Sequence, residues 1–396
     1  MSDVLDNERG PAPFWVVPVA MLAAVAVVMW LAWHWHTEPS AAPPRPSPSA
    51  SPTPERTLVT TQARNGCGGD VERPLIDAGS VPPGTGLRLL VGDRDLRSVD
   101  VDTGNVEVLA PLRDERSFTE LTQTATQVLA VLRNPCTVEG YGKGVVAAVD
   151  PVDGEVSSPR SGDVVLPGEP PSVLDLDASR PMLVRELRGQ ASSTVPGQWQ
   201  LHARVGDEYF VSVSSGTDAP PQLGIGSPKT GALTSTFGSG TVVAASGEKM
   251  FWVAGDCDVH CMLVQTYVDG SNVATPLDTA AWGGSVSPDG TKLAFRKPRP
   301  SGRLGEHPGP PNDVAILDTT AEGVRPVIVP GLVLPAKAGL TLTWSPDSQW
   351  LVIGADLGTG PAILIWRQGM DAAAEIRMPA TPGGTTGPPA LLVLPR

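Results

Sequence analysis

Short apolar runs separated by turn residues recur along the chain from residue 57 to the C terminus. Each run has the length of a strand, and Gly, Asp, Asn or Pro stands between consecutive runs. No amphipathic helical run follows the N-terminal 35 residues, and the 43 glycines and 42 prolines of the chain disfavour long helices. The pattern therefore predicts an all-β fold.

Two similar hairpin signals near the C terminus define a repeat. "GGSVSPDGTKLAFRK" (283–297) and "LTWSPDSQWLVIGAD" (342–356) each consist of an apolar strand, a Ser-Pro-Asp turn and a second apolar strand. Proline fixes φ at the second turn position, and the aspartate accepts a hydrogen bond from the backbone ahead of it. Each segment therefore predicts a β-hairpin.

A second pair of strands follows each hairpin, and the same kind of pair occurs earlier in the chain. Four strands in a unit of roughly 40 to 50 residues are typical of a β-propeller blade. The repeats predict a six- or seven-bladed β-propeller, with seven preferred, in which residues 57–61 pair near residues 390–395 to close the ring. The second pairs lie at 96–110, 145–158, 262–277, 313–329 and 361–378.

Two segments carry a resemblance to known families. "SVSPDGTKLAF" (285–295) and "WSPDSQWLVIG" (344–354) are similar to the repeats of TolB-type propellers and of the wider WD-repeat-like class. The resemblance implies the fold and little about function, because propellers carry many functions. TolB is a soluble periplasmic component of an envelope complex, and this chain departs from it in its N-terminal segments. The layout resembles anchored, exported propellers of high-GC Gram-positive bacteria.

The N terminus contains a candidate membrane anchor. Residues 14–33 carry no charge, and twenty helical residues span about 30 Å, the thickness of the hydrocarbon core of a bilayer. We expect a cytoplasmic tail at 1–13, a transmembrane helix at 14–35, a Pro/Ser-rich linker at 36–56 and an extracytoplasmic propeller at 57–396. A cleaved signal peptide is the alternative. The predicted location is the cell membrane, with one span.

The charge of the chain limits its partners. The formal net charge is −13 and the sequence pI is about 4.8. Contacts to phosphates need clustered Lys and Arg, so we expect no nucleic acid partner.

Four cysteines are candidates for pairing or for metal binding. "GDCDVHC" (255–261) places Cys257 and Cys261 at the ends of a short hairpin loop, a spacing that a disulfide can bridge, and Cys67 would then pair with Cys136 by exclusion. A haem site needs the histidine after the second cysteine, whereas His260 precedes it. Zinc would need a fourth ligand that the segment does not supply. We expect two disulfides and no metal or other cofactor.

Two other motifs favour turns over binding sites. "GIGSPKTG" (224–231) has Pro228 where a phosphate-binding loop has glycine, and a strand-like segment follows it. "DVDTGNVE" (100–107) has Asn105 where a calcium loop has its glycine, and calcium stays the alternative there.

Groups that could form a catalytic site are scarce, and no hydrolase motif occurs. The basic, Pro-rich segment 296–313 predicts a long blade loop that either binds a partner or is a surface excursion without a function. Its candidate contact residues are Arg296, Lys297, Arg299 and Arg303.

The sequence favours a non-enzymatic, membrane-tethered propeller. It would bind a protein, peptide or cell-wall ligand, and it could belong to an envelope complex. The alternative is a propeller hydrolase or lactonase with a metal in the central channel.

Overall fold

A computed structural model describes most of the region that the sequence assigns to the propeller. All described residues lie in the larger of two compact units, Leu58–Arg396, and the smaller unit, Met1–Thr57, lies outside them. The predicted tail, transmembrane helix and linker therefore also lie outside the described residues. The described residues are 63–64, 70–71, 75–76, 79–112, 116–124, 126–134, 144–176, 182–186, 192–216, 219–257, 260–299, 311–320, 324–335, 338–356, 361–376 and 388–395.

Strands are the only regular elements in these ranges, and no helix there could cross a membrane. The first half contains β1 (Ala63–Arg64), β2 (Asp70–Val71), β3 (Leu75–Ile76), β4 (Arg88–Gly92), β5 (Asp95–Asp100), β6 (Val106–Pro111), β7 (Ser117–Gln123), β8 (Val128–Arg133), β9 (Val145–Val149), β10 (Val156–Ser161), β11 (Val164–Leu166), β12 (Ser172–Asp175), β13 (Leu183–Glu186), β14 (Ser192–Thr194), β15 (Trp199–Val205) and β16 (Glu208–Val213).

The second half contains β17 (Gln222–Ser227), β18 (Ala232–Ser239), β19 (Thr241–Ala245), β20 (Lys249–Asp256), β21 (His260–Tyr267), β22 (Asn272–Leu277), β23 (Trp282–Val286), β24 (Lys292–Pro298), β25 (Asn312–Asp318), β26 (Val327–Ile328), β27 (Leu332–Val333), β28 (Leu340–Trp344), β29 (Leu351–Asp356), β30 (Pro361–Trp366), β31 (Ala374–Ile376) and β32 (Ala390–Leu394).

Within the described residues these strands form seven four-stranded antiparallel sheets. Blade 1 is β32-β4-β5-β6, and blades 2 to 7 are β7–β10, β11–β14, β15–β18, β19–β22, β23–β26 and β28–β31. The fold is therefore a seven-bladed β-propeller, and the preferred blade number is confirmed. The predicted hairpins are confirmed as β23–β24 and β28–β29, and the Pro-Lys-Thr-Gly part of "GIGSPKTG", residues 228–231, is confirmed as the turn between β17 and β18.

The hydrophobic core is divided among the interfaces between neighbouring blades. Seven buried clusters are present, and each takes its side chains from two adjacent blades. A four-stranded sheet with two apolar faces cannot be stable alone, because each face must be covered by another element. Each blade is thus stabilised by the blades on both sides of it.

The two chain ends meet in blade 1, as predicted, but a different N-terminal strand takes part. β32 pairs with β4 along its whole length, with Leu391 opposite Val91 and Val393 opposite Leu89. Residues 57–61, which were predicted to pair here, lie outside the described residues, and the described neighbour of β32 is β4. The central residues of β4 are apolar and buried, and they face blade 7 on one side and blade 2 on the other. Pairing with β32 is therefore explained by the burial of these side chains.

Side chains of β32 alternate between two interfaces. Leu391 and Val393 pack in the cluster shared with blade 7, whereas Ala390, Leu392 and Leu394 pack in the cluster shared with blade 2. Successive side chains of a strand point to opposite faces of the sheet, so one strand contributes to both interfaces.

A second attachment joins the N-terminal segment to blades 6 and 7. β3 pairs with β27, the strand that follows the last strand of blade 6. Gly79 then donates its N–H to the carbonyl of Ala373 at 2.8 Å, next to the outermost strand of blade 7. The chain is therefore fixed to the last two blades before it enters blade 1.

The order of the strands divides the chain connections between two faces. Consecutive strands are antiparallel, so the turns after the first and third strands of a blade lie at one end of the sheet. We call this end the short-turn face. The connections after the second and fourth strands lie at the opposite end, which we call the long-connection face.

Aspartates hold many of the turns on the short-turn face. Asp100 accepts a hydrogen bond from the N–H of Thr103, Asp269 from that of Ser271, and Asp318 from that of Thr320. Hydrogen bonds to these residues lower the pKa of all three carboxyl groups. "DVDTGNVE" is therefore a blade turn, as predicted.

Two lysines link successive blades on this face. Lys249 of blade 5 donates to the carbonyl of Gly290 in the first turn of blade 6, and Lys292 of blade 6 donates to the carbonyl of Ser348 in the first turn of blade 7. Both Nζ···O distances are 2.7 Å. The Ser-Pro-Asp repeat thus positions the turn carbonyls that accept from the preceding blade.

Replacing Lys292 tests this link. Lys292→Met keeps the aliphatic side chain and removes the charged donor, so we expect a loss of about 1 to 2 kcal/mol in the free energy of unfolding. Urea unfolding measures it, with Lys229→Met on an exposed turn as the control. An equal effect of the two substitutions would contradict the link.

Candidate functional site

The innermost strands of four blades carry a β-bulge. The pairing register shifts between Phe118 and Glu120 in β7, Leu201 and Ala203 in β15, Val242 and Ala244 in β19, and Trp282 and Ser285 in β23. A bulge bends its strand and re-aims the side chains next to it. The bulges therefore determine which side chains of the innermost strands point toward the centre of the ring.

The bulge in blade 6 is formed by two glycines with different roles. A Cβ on Gly284 would lie 2.9 Å from the carbonyl oxygen of Ala294 and 3.0 Å from Cγ1 of Val243 in blade 5. Gly284 thus permits the close approach of β23 to β19. Gly283 has φ +58° and faces open space, with nothing within 4 Å of a Cβ built there.

Trp282 lies immediately before these glycines, at the long-connection end of β23. It is 36% exposed, although most of the large apolar side chains in the described residues are buried. Its partner across the sheet is Arg296 in β24. Residues directly opposite each other in antiparallel strands project from the same face of the sheet, so Trp282 and Arg296 lie side by side.

The predicted partner-binding residues are divided between a strand and a loop. Arg296 and Lys297 belong to β24 and do not lie in the loop to which the sequence assigned them, because the strand continues to Pro298 and pairs with β25. Arg299 follows the strand, and its N–H donates to the carbonyl of Pro311. Arg303 lies outside the described residues.

Each of the three described cations has a partner within the chain. Arg296 Nη2 donates to the carbonyl of Ala338 at the start of blade 7, and burial lowers the pKa of this guanidinium. Lys297 Nζ lies 2.9 Å from a carboxylate oxygen of Asp278, and Arg299 Nε lies 2.8 Å from one of Asp313. Partner binding by these residues stays a prediction.

The cysteine segment forms the tip of the hairpin between β20 and β21. Asp256 pairs with His260, so Cys257 lies in the loop and Gly255 is opposite Cys261. Cys257 is free and half-buried, whereas the buried Cys261 donates from Sγ to the carbonyl of Thr279 at 3.2 Å. Both side chains contact the core cluster between blades 5 and 6. The Cys257–Cys261 disulfide is not formed in this structure and stays a prediction.

The other cysteine prediction is not tested by the described residues. Cys67 and Cys136 both lie outside them, so their pairing also stays a prediction. Among the described residues no group of three or more His, Cys, Asp or Glu side chains is placed to hold a metal ion.

Two titratable side chains with shifted pKa values, Glu120 and His202, lie half-buried on innermost strands. Burial raises the pKa of Glu120, while hydrogen bonds from Thr122 and from the N–H of Val165 in blade 3, together with the charge of Arg133, oppose this rise. Burial lowers the pKa of His202 to about 4, and its Nε2 lies 2.9 Å from Ser212 Oγ. Glu120 and His202 belong to blades 2 and 4, which are not neighbours.

Sequence reasoning missed Trp282 and Glu120. Trp282 is followed by Gly-Gly, and this pair is the signal of a bulge that could have drawn attention to it. Glu120 stands in the mostly polar segment "SFTELTQ", which gives no signal that its carboxylate is half-buried.

Comparison with known proteins finds similarity in structure alone. No family model matches the chain, and no curated protein matches its sequence. Similar solved structures are a prolyl endopeptidase (12% identity, 76% of this chain and 49% of that chain covered, TM-score 0.48), the β-propeller domain of the Trilobed protease from Pyrococcus furiosus (9%, 65% and 84%, 0.43) and a candidate 6-phosphogluconolactonase from Bacteroides uniformis (13%, 78% and 99%, 0.43).

These similarities leave the function open. The chain spans about half the length of the prolyl endopeptidase that it matches. Identities this low say nothing about activity, so the assignment to the propeller class rests on the seven sheets of the structure itself.

The lowered pKa of the half-buried His202 predicts a dependence of stability on pH. In the unfolded chain the pKa of a histidine is about 6.5, against about 4 for folded His202, so the unfolded state binds more protons between these values. Stability should therefore fall by about 3 kcal/mol as the pH drops from 6.5 to 4. Urea unfolding across this range measures the loss, and His202→Gln should remove it. Parallel stability curves for the two proteins would contradict this account.

Proposed function

We propose that this chain is a non-enzymatic binding protein. In the proposal residues 14–35 hold it at a membrane, residues 36–56 separate the propeller from that membrane, and the propeller lies outside the cytoplasm. The propeller binds a protein, peptide or cell-wall ligand on its long-connection face, as a single module or within an envelope complex.

Trp282 is the observation that carries this proposal. Binding surfaces are enriched in tryptophan, because the indole ring contributes a large apolar area with little loss of side-chain entropy. Trp282 is exposed at the innermost edge of blade 6, beside Arg296 and at the base of the connection between β24 and β25. Long connections on a rigid scaffold are the usual location of binding residues.

The short-turn face offers less to a ligand. Its aspartates accept hydrogen bonds from their own turns, and Lys249 and Lys292 donate to the backbone of the next blade. The lysine contacts link neighbouring blades, and the aspartate contacts stabilise individual turns, so these polar groups already have partners within the chain. The long-connection face is therefore the better candidate for recognition.

Support for the membrane anchor comes from the sequence. Residues 14–33 are uncharged and long enough to cross a bilayer as a helix, and the following Pro-rich stretch is typical of an extended spacer. Aromatic side chains at both ends of the apolar stretch are typical of the membrane interface.

The alternative is a propeller hydrolase or lactonase with a metal in its channel. A hydrolase would need an acid and a base near the channel, and Glu120 and His202 are half-buried candidates on innermost strands. Both side chains are held by hydrogen bonds inside the protein, and the described residues bring them to different blades. We therefore prefer the binding protein.

Photo-crosslinking in cells tests which face binds. A benzophenone amino acid inserts into C–H bonds of proteins and saccharides alike, so it reports a ligand of either class. We expect adducts with the probe at Gln198, which is exposed at the long-connection end of blade 4 just before β15, and none with the probe at Lys229 on the short-turn face. The mass of the tryptic peptide that contains the probe measures this. Equal labelling at both positions, or none at Gln198, would contradict the proposal.

A further inference from the structure

Three consecutive innermost strands expose an uncharged side chain at their long-connection ends. Gln200 is the second residue of β15, Thr241 the first of β19 and Trp282 the first of β23. All three are exposed, and the strands that carry them contact one another in order around the ring. Gln200, Thr241 and Trp282 therefore form an arc along one side of the central opening, which we call the blade 4–6 arc.

The chemistry of the blade 4–6 arc combines an aromatic surface with neutral hydrogen-bonding groups. Trp282 offers an apolar ring face and one N–H donor, Gln200 offers a donor and an acceptor, and Thr241 offers a hydroxyl that does both. Gly283, the next residue, carries no side chain that could cover the indole, and no atom outside its chain neighbours lies within 4 Å of a Cβ built on it.

Among the described residues, the cations beside Trp282 already have partners within the chain. Arg296 donates to the carbonyl of Ala338, and Lys297 is paired with Asp278. Lys297 would have to leave Asp278 to bind an anionic ligand, and the formal net charge of −13 would repel such a ligand further. The surroundings of the arc therefore favour a ligand without charge.

We propose that the blade 4–6 arc binds a neutral saccharide. A pyranose ring has one face of C–H groups, which packs on an indole, and a rim of hydroxyl groups, which both donate and accept hydrogen bonds. These two features match Trp282 on one side and Gln200 with Thr241 on the other. The inference rests on the proposed function, because it names the chemical class of the ligand on the same face.

Peptides and anionic polymers fit these observations less well. A peptide ligand takes much of its affinity from side-chain pockets or charge pairs, and the cations here have partners inside the chain. A saccharide needs neither, because one aromatic platform and a few neutral polar groups can bind it.

Binding to defined oligosaccharides tests the inference. The full chain in mild detergent is titrated by calorimetry with chitotetraose, cellotetraose and maltotetraose, which are uncharged and differ in ring substituents and linkage. We expect at least one of them to bind, and Trp282→Ala to weaken it by at least about tenfold. Trp282→Phe should recover part of the affinity, and Thr241→Val should weaken it by a few-fold.

A matched control separates the arc from other exposed apolar positions. Val324 is exposed to the same 36% as Trp282 but precedes the outermost strand of blade 6, so Val324→Ala should leave the affinity unchanged. Circular dichroism and thermal unfolding show whether each variant is folded. No binding by any of the three saccharides, or binding that Trp282→Ala leaves intact, would overturn the inference.

The failure of this inference differs from the failure of the proposed function. A protein adduct from the benzophenone probe at Gln198, together with no saccharide binding, would overturn the saccharide and retain recognition by this face. No adduct of any kind at Gln198 would count against recognition by this face itself.

Discussion

The pairing of β32 with β4 is the interaction on which the rest of the structure depends. β32 is the innermost strand of blade 1, and its side chains alternate between the interface with blade 7 and the interface with blade 2. Since every blade is stable only with both faces covered, losing this one strand would open two of the seven interfaces. The attachment of β3 and Gly79 to the last two blades limits the freedom of the N-terminal segment before it pairs.

The position of the candidate site depends on how closely neighbouring innermost strands approach in the closed ring. Innermost strands can run side by side only where their backbones approach closely, and Gly284 makes this possible between blades 5 and 6. The bulge that accommodates this approach exposes Trp282 at the long-connection face. On the other face, Lys249, Lys292 and the turn aspartates use their polar groups to link blades and turns. In the proposed function, recognition therefore lies at the end of the sheets opposite to the turns that these lysines and aspartates stabilise.

Local signals in the sequence predicted the parts of the fold that depend on local interactions. Pro288 and Asp289 fix a turn with their own backbone and side chain, so the hairpin could be recognised without knowing its neighbours. Ring closure is a contact between distant segments, and no local signal near residues 57–61 or in β4 decides which of them pairs with β32. Arg296 and Lys297 were assigned to a loop because segment 296–313 is basic and Pro-rich, whereas pairing with β25 keeps them in a strand. The exposure of Trp282 follows from a bulge register that only the assembled ring sets.

Urea unfolding of a chain that ends at residue 387, and therefore lacks β32, tests the central claim most directly. The account predicts a large loss of stability and a broader transition with a smaller m-value than in the full chain, because blades 1, 2 and 7 lose buried surface together. A transition with the same midpoint and slope as that of the full chain would contradict it.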